Sequence, residues 1–223
     1  MNITDIHCHI LYGVDDGSGS LDESISMLHA AYACGIETVI CTPHVYSAED
    51  DLRKIRNVFK TVRAEADRIG IQLRQGYECN YRLMLETEAA DMRAYRFEDT
   101  DMLLLEPPSG YLPDLWENRI YDLQNEGIEV IIAHPERCRD FQENISLARR
   151  MAEIGCRLQV SACDLFGGFF SAYKKTALKM INEGLISFIA SDAHCVGDFR
   201  SYLKAMKRYP HIMKQTAENC ANR

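Results

Sequence analysis

Five times along the chain a stretch with helical periodicity ends in glycine and an apolar run begins at once. The joints are Gly35-Ile36-Glu37-Thr38-Val39-Ile40, Gly70-Ile71-Gln72-Leu73, Gly127-Ile128-Glu129-Val130-Ile131-Ile132, Gly155-Cys156-Arg157-Leu158 and Gly184-Leu185-Ile186-Ser187-Phe188-Ile189. Glycine suits the left-handed residue that stops a helix, so each joint reads as a passage from helix to strand. The stretches between the joints are amphipathic. Leu52, Ile55, Phe59, Val62, Ala66 and Ile69 recur at spacings of three and four, which predicts one buried helix face. Ser20 and Glu23 predict a capping box ahead of a helix whose apolar face is Leu21, Ile25, Leu28 and Tyr32.

The opening run from Ile3 to Ile6 and the run Met102-Leu103-Leu104-Leu105 bring the expected strands to seven, each followed by helical pattern. These strands are continuous apolar runs rather than alternating ones, as expected where both faces of a parallel sheet are covered. The expected fold is therefore α/β, a closed or nearly closed β/α barrel. A doubly wound open sheet is the alternative, because periodicity does not count closure. A length of 223 residues supports one large core, and no linker or low-complexity segment divides the chain, so a single domain over residues 1–223 is expected.

With 47% hydrophobic and 26% charged residues the composition is that of an ordinary globular chain. Acidic residues outnumber basic ones by 33 to 25, a net charge of −8 that repels polyanions and argues against duplex nucleic acid as a partner. A phosphate group could still be drawn in by bound cations. The nine cysteines include no CxxC pair and cannot all pair within one chain, so free thiols in a reducing cytoplasm are expected. Neither a leader of the secretory type nor an apolar segment of ~18 residues is found, so no signal peptide or membrane span is expected.

The polar residues at the ends of the apolar runs change the picture. His7 and His9 follow the first run, His44 the second, Glu78 the third, Glu106 the fourth, His134 the fifth, and Asp192 with His194 the seventh. Asp15-Asp16 follows the first pair. Only the sixth run, ending near Val160-Ser161, lacks an obvious ligand, with Asp164 a weak candidate. In a β/α barrel the carboxyl ends of the strands share one face, so these residues would converge. Such a gathering is costly unless cations compensate it. Imidazole nitrogen with carboxylate oxygen suits zinc, manganese or iron and disfavours calcium. His7 and His9, two apart on an extended segment, point to the same side.

Taken singly, each of these residues has a plainer reading. The Asp5-Ile6-His7-Cys8-His9 segment is short enough to arise by chance, Glu78 and Glu106 could be helix caps or ion-pair partners, and His134 before Pro135 could be a turn residue. Their common register at the strand ends favours a shared site. His29 and His211 lack that register and are left out.

The motifs resemble the PHP (polymerase and histidinol phosphatase) superfamily, and within it the bacterial protein-tyrosine phosphatases encoded with capsular and exopolysaccharide synthesis genes. They are Asp5-Ile6-His7-Cys8-His9-Ile10, Gly13-Val14-Asp15-Asp16-Gly17-Ser18, Thr42-Pro43-His44, Gly76-Tyr77-Glu78, Leu105-Glu106, Ile132-Ala133-His134-Pro135-Glu136-Arg137 and Ala190-Ser191-Asp192-Ala193-His194. The Val-Asp-Asp-Gly and His-x-Glu-Arg words are specific to this branch, whereas the DxHxH word and the strand-end acids occur across the superfamily.

The resemblance implies a distorted seven-stranded (β/α)7 TIM-like barrel and three divalent transition-metal ions, manganese, zinc or iron. It implies that His7, His9 and Asp192 hold the first ion with Glu78, which bridges to a second ion held by Glu106 and His134. Asp16, His44 and His194 would hold the third; Asp15 is adjacent, and only structure separates the two aspartates. Arg137 and Arg200 match positions that contact phosphate, although the loop before Arg200 is one residue longer than the family pattern.

The activity so implied is attack on phosphotyrosine by metal-activated water, the substrate being the tyrosine-rich tail of a bacterial kinase that regulates polysaccharide export. A phosphoesterase for a small monoester, such as histidinol phosphate or a nucleotide, is the alternative, and a non-catalytic metal-bound domain is a third. A thiol route is disfavoured, because Cys195 and Arg200 are separated by four residues where the Cys-x5-Arg loop needs five. Cys8 should point away from its two histidine neighbours. Phe169 and Phe170 could flank a tyrosine ring or anchor their loop.

Overall fold

Every strand pairing in the computed structural model, which describes residues 3–168 and 171–221, is parallel. The strands are β1 (Ile3–Cys8), β2 (Ile36–Cys41), β3 (His44–Val45), β4 (Gln72–Gln75), β5 (Glu78–Asn80), β6 (Met102–Glu106), β7 (Glu129–Ala133), β8 (Arg157–Ser161) and β9 (Ile186–Ala190). They form two sheets, ordered β1-β2-β4 and β3-β5-β6-β7-β8-β9.

Two of the expected strands are thus each broken into a pair. Thr42-Pro43 separates β2 from β3, and Gly76-Tyr77 separates β4 from β5. Proline has no N–H to give to a ladder, which explains a break at Pro43. Hydrogen bonds nevertheless cross the gap: Gly76 N–H donates to Cys41 O at 2.9 Å and Glu78 N–H to Pro43 O at 3.1 Å. A second seam joins β1 to the residues after β9, through Asp192 N–H to His7 O and His9 N–H to Ala193 O, both 2.9 Å.

Both faces of β6 and β7 are covered, and this accounts for their continuous apolar runs, whereas β4 keeps only Leu73 buried between polar neighbours. Along β6 and β7, Met102, Leu104, Ile131 and Ala133 pack inward with Ile6, Ile40, Phe97, Phe188 and Ala190. Leu103, Leu105, Val130 and Ile132 pack outward into the larger core under the helices. Each such fully buried side chain contributes roughly 1.5–3 kcal/mol.

Helix α1 (Leu21–Ala33) and helix α2 (Leu52–Ile69) test the periodicity directly. In α2 the buried residues are Ile55, Val58, Phe59, Val62 and Ala66, close to the expected face. It stops at Gly70, whose φ of 96° is the left-handed conformation expected of that joint. The glycines of the other four joints also have positive φ.

In α1 the buried face is instead Ser24, Met27, Leu28 and Ala31, and Tyr32 is exposed. The reason is polar: Ser24 Oγ donates to Ile10 O at 2.6 Å and pairs with Ser18 Oγ at 2.9 Å, so a serine is drawn inward. The Ser20 cap forms, accepting from Glu23 N–H at 3.2 Å, but the Glu23 carboxylate reaches back to Gly19 N–H rather than to Ser20. Phe169 and Phe170 lie outside the described residues. Among those described, no helix is long and apolar enough to cross a membrane.

Candidate metal centre

The carboxyl ends of the strands bring together side chains from segments remote in sequence. His7 and His9 project from the end of β1 to one side, with Nε2 atoms 3.0 Å apart, and both are buried. Cys8 between them packs into the outer core, its Sγ 3.8 Å from Ala193 O, and burial pushes its thiol well above the usual range. It is placed away from the cluster, as expected from strand geometry.

Glu78, at the start of β5 and fully buried, is the hub. Its Oε2 lies 3.1 Å from His7 Nε2, 3.2 Å from His9 Nε2 and 3.2 Å from His44 Nδ1, and its Oε1 lies 2.7 Å from His134 Nε2. Asp192 Oδ1 stands 3.3 Å from His7 Nε2 and 3.5 Å from His9 Nε2. Glu106 gathers with Glu78 and His44, their ligand atoms within 4.8 Å of one another, and accepts from Asn80 Nδ2 at 2.7 Å. His9, Asp16, His44 and His194 form another group within the same 4.8 Å limit. His134 and Asp192 have φ of 27° and 50°, uncommon for non-glycine residues. Such strain at two clustered polar residues is characteristic of functional sites.

The two neighbouring aspartates do different things. Asp15 Oδ2 accepts from His9 Nδ1 at 2.8 Å, and its carboxylate also accepts from Gly17 N–H and His44 N–H. Asp16 is exposed, with Oδ1 3.4 Å from His194 Nε2 and 3.6 Å from His44 Nε2. Gly17 makes this loop possible. A Cβ there would meet His9 O at 2.1 Å and His9 Cβ at 2.5 Å, so Gly17→Ala must push Asp15 and Asp16 away from the histidines. We expect that substitution to lower turnover about 10²-fold, read as kcat on p-nitrophenyl phosphate with circular dichroism unchanged.

The field in the cluster is suited to cations. Burial alone would raise the Glu78 carboxyl, but His7 and His134 carry it well below the carboxylate range. Asp192 is likewise lowered against its burial, by His7, His9 and Arg137. Burial would lower both rings, yet Asp15, Asp192 and Glu78 raise His9 well above the ordinary imidazole range, and Glu78 and Asp192 raise His7 above its ordinary value. These carboxylates favour the protonated forms of His7 and His9, and a divalent ion would satisfy the same field.

The donor set fits such ions. His9 Nδ1 is tied to Asp15 and His194 Nδ1 lies 3.0 Å from Asp192 O, which leaves Nε2 of each ring toward the cluster. His44 Nδ1 is buried and faces Glu78 Oε2 at 3.2 Å without hydrogen-bond geometry. Facing imidazole nitrogens and carboxylate oxygens are what zinc, manganese or iron would bind.

The family model for capsular polysaccharide synthesis, CpsB/CapC, matches residues 3–223. The chain belongs to the CpsB/CapC family. One CpsB/CapC relative, tyrosine-protein phosphatase YwqE from Bacillus subtilis, is 36% identical over 204 residues, covering 86% of this chain and 77% of its own. CapC from Staphylococcus aureus is 31% identical over 208 residues, covering 92% and 82%. A crystal structure from work on YwqE of Bacillus subtilis and CpsB of Streptococcus pneumoniae, described as metal-dependent tyrosine phosphatases, superposes with a TM-score of 0.81. It is 31% identical to this chain and covers 97% of it and 92% of its own length.

The two arginines singled out in this CpsB/CapC chain differ in setting. Arg137 Nη2 lies 2.7 Å from Asp192 Oδ2, and its Nε donates to Asp164 Oδ2 at 2.7 Å, which draws Asp164 into the site. Arg200 is exposed in the first turn of helix α3 (Phe199–Arg208), with no ion pair among the described residues. Cys195 is exposed and caps the turn Val196–Asp198, whose Asp198 accepts from the His194 and Cys195 N–H groups.

Three residues the sequence reading passed over are also drawn in: Asn80, Ser161, whose Oγ donates to Asp192 Oδ2 at 3.0 Å, and Gln159. Gln159 left only a weak sign in the sequence, a polar residue between Leu158 and Val160 in β8. A cavity of about 730 Å³ lies away from this chemistry; it precedes β6, and its Arg93 and Arg96 are paired with Glu126 and Asp101.

Proposed function

We propose that this chain is a metal-dependent protein-tyrosine phosphatase, formed by a single domain over residues 1–223. The carrying observation is the convergence of five imidazoles with Glu78, Asp192, Asp16 and Glu106 at one end of a parallel sheet. Counting β2 with β3 and β4 with β5 as broken strands supports a distorted seven-stranded barrel.

His7, His9 and Asp192 would hold one ion with Glu78. Glu78, Glu106 and His134 would hold a second, and Asp16, His44 and His194 a third. The exposed carboxylate of Asp16 and the hydrogen-bonded one of Asp15 support this choice between the two aspartates. Bound ions supply Lewis acidity and a water acidic enough to attack phosphorus in line. Manganese, zinc and iron all suit the donors.

The chain's own groups do the rest. Arg137, clamped by Asp164 and Asp192, presents a planar fork whose Nη1 carries no hydrogen bond among the described residues and can meet a phosphoryl oxygen. Arg200 is the second phosphate contact in this reading. A cavity of about 330 Å³ beside Glu106, walled by Tyr46, Tyr81, Pro107 and Pro108, supports an aryl substrate. Tyr46 is held against the metal cluster by stacking on His44, ring centroids 5.2 Å apart. The physiological substrate in this reading is the tyrosine-rich tail of a bacterial kinase controlling capsular or exopolysaccharide synthesis, met in the cytoplasm.

With manganese present, the purified protein is expected to cleave a phosphotyrosyl peptide with kcat/KM about tenfold or more above that for histidinol phosphate or a nucleoside monophosphate. The reverse order would replace this reading by that of a small-monoester phosphatase. No hydrolysis of any of them would reduce the site to a metal-bound module.

A further inference from the structure

We infer that Gln159 is a positioning residue that sets the His7 ring for metal binding. This explains why the sixth expected strand supplies no ligand, and it rests on the metal reading above. Gln159 lies in the middle of β8 and is fully buried. Its Oε1 faces two groups: the backbone nitrogen of His134 at 3.4 Å and His7 Nδ1 at 3.0 Å.

A backbone N–H can only donate, so the amide atom turned toward it is the oxygen and not the nitrogen. With oxygen in that place, the proton between Gln159 and His7 sits on His7 Nδ1. The nitrogen left for an ion is Nε2, the one 3.1 Å from Glu78 Oε2, 3.3 Å from Asp192 Oδ1 and 3.0 Å from His9 Nε2. Thus one side chain ties a ring from β1 to the backbone at the end of β7, where the His134 ring reaches Glu78 Oε1.

Gln159 Nε2 is buried with no hydrogen-bond partner among the described residues. An unsatisfied buried amide disfavours folding, and an apolar side chain of similar size would avoid that cost. Packing alone therefore does not account for a glutamine here, whereas a fixed acceptor for His7 does. His9 and His194 obtain the same service from Asp15 and from the Asp192 carbonyl.

The test compares Gln159→Leu and Gln159→Glu with the full-length parent. Q159L is expected to bind manganese or zinc ~10–100-fold more weakly, read by competition against a chelator. The melting midpoint of its metal-stripped form should fall too, because the His134 N–H and the His7 ring lose their buried acceptor. Q159E keeps an acceptor oxygen and should recover the affinity. A purely structural glutamine would lower the stripped midpoint in the same way but spare the affinity.

Zinc-loaded parent protein gives a readout independent of either variant: long-range proton–nitrogen NMR should place the His7 proton on Nδ1. Unchanged metal affinity in Q159L, or a His7 proton on Nε2, overturns the inference and leaves the metal reading standing. A parent protein that takes up no manganese or zinc overturns both.

Discussion

Dialysis against a strong chelator is expected to bring hydrolysis of p-nitrophenyl phosphate down to the background rate, and added manganese, zinc or iron to restore it. Without ions the cluster neutralises itself, its carboxylates holding protons on His7 and His9, so neither of those rings is free to act as a base. Thiol alkylation is the matching control and should spare activity. Cys8, Cys41 and Cys79 are buried, with thiols pushed well up by burial, and exposed Cys195 lacks an arginine at the spacing a thiol phosphatase needs. Activity that survives thorough stripping and disappears on alkylation would contradict the metal mechanism.

Glu78→Gln is expected to have the largest effect of any single substitution in the cluster. One carboxylate touches four imidazoles, and the amide that replaces it presents a neutral oxygen and an N–H₂ group that repels metal ions. Losing ~4 kcal/mol of charge stabilisation in the transition state corresponds to a fall in turnover of about 10³. Bound metal, measured by elemental analysis, should fall with it. The stripped protein should keep its fold, because His7 and His9 can shed the protons that Glu78 now holds on them and leave no unpaired buried charge. His29→Ala is the control: that residue is exposed on α1, and its loss should change neither readout. Wild-type turnover in E78Q would remove Glu78 from the site.

Much of this site is visible in one dimension. The glycine joints locate the helix stops, and the residue just past each apolar run is polar and able to bind metal in all but one case. Gln159 occupies the remaining strand between Leu158 and Val160, where alternation with Arg157 and Ser161 makes a buried polar residue look like an ordinary solvent-facing one. The face of α1 was misjudged for a related reason. Periodicity counts Ser24 as polar, whereas Ile10 O and Ser18 Oγ supply it with buried partners. A hydrogen bond made across a loop leaves no periodic trace.

The sequence by itself determined which residues stand at strand ends, because strand length, glycine stops and two-residue alternation are local properties that repeat along the chain. Only the tertiary structure decided how those ends meet. It separated Asp15, bonded to His9, from Asp16, facing His44 and His194, and it tied Arg137 to Asp164 and Asp192. It also split two strands at Pro43 and Gly76-Tyr77 and put Glu78 beside four histidines. These distances depend on how neighbouring parallel strands are staggered and where the sheets join, and each join sums contacts between residues far apart in the chain.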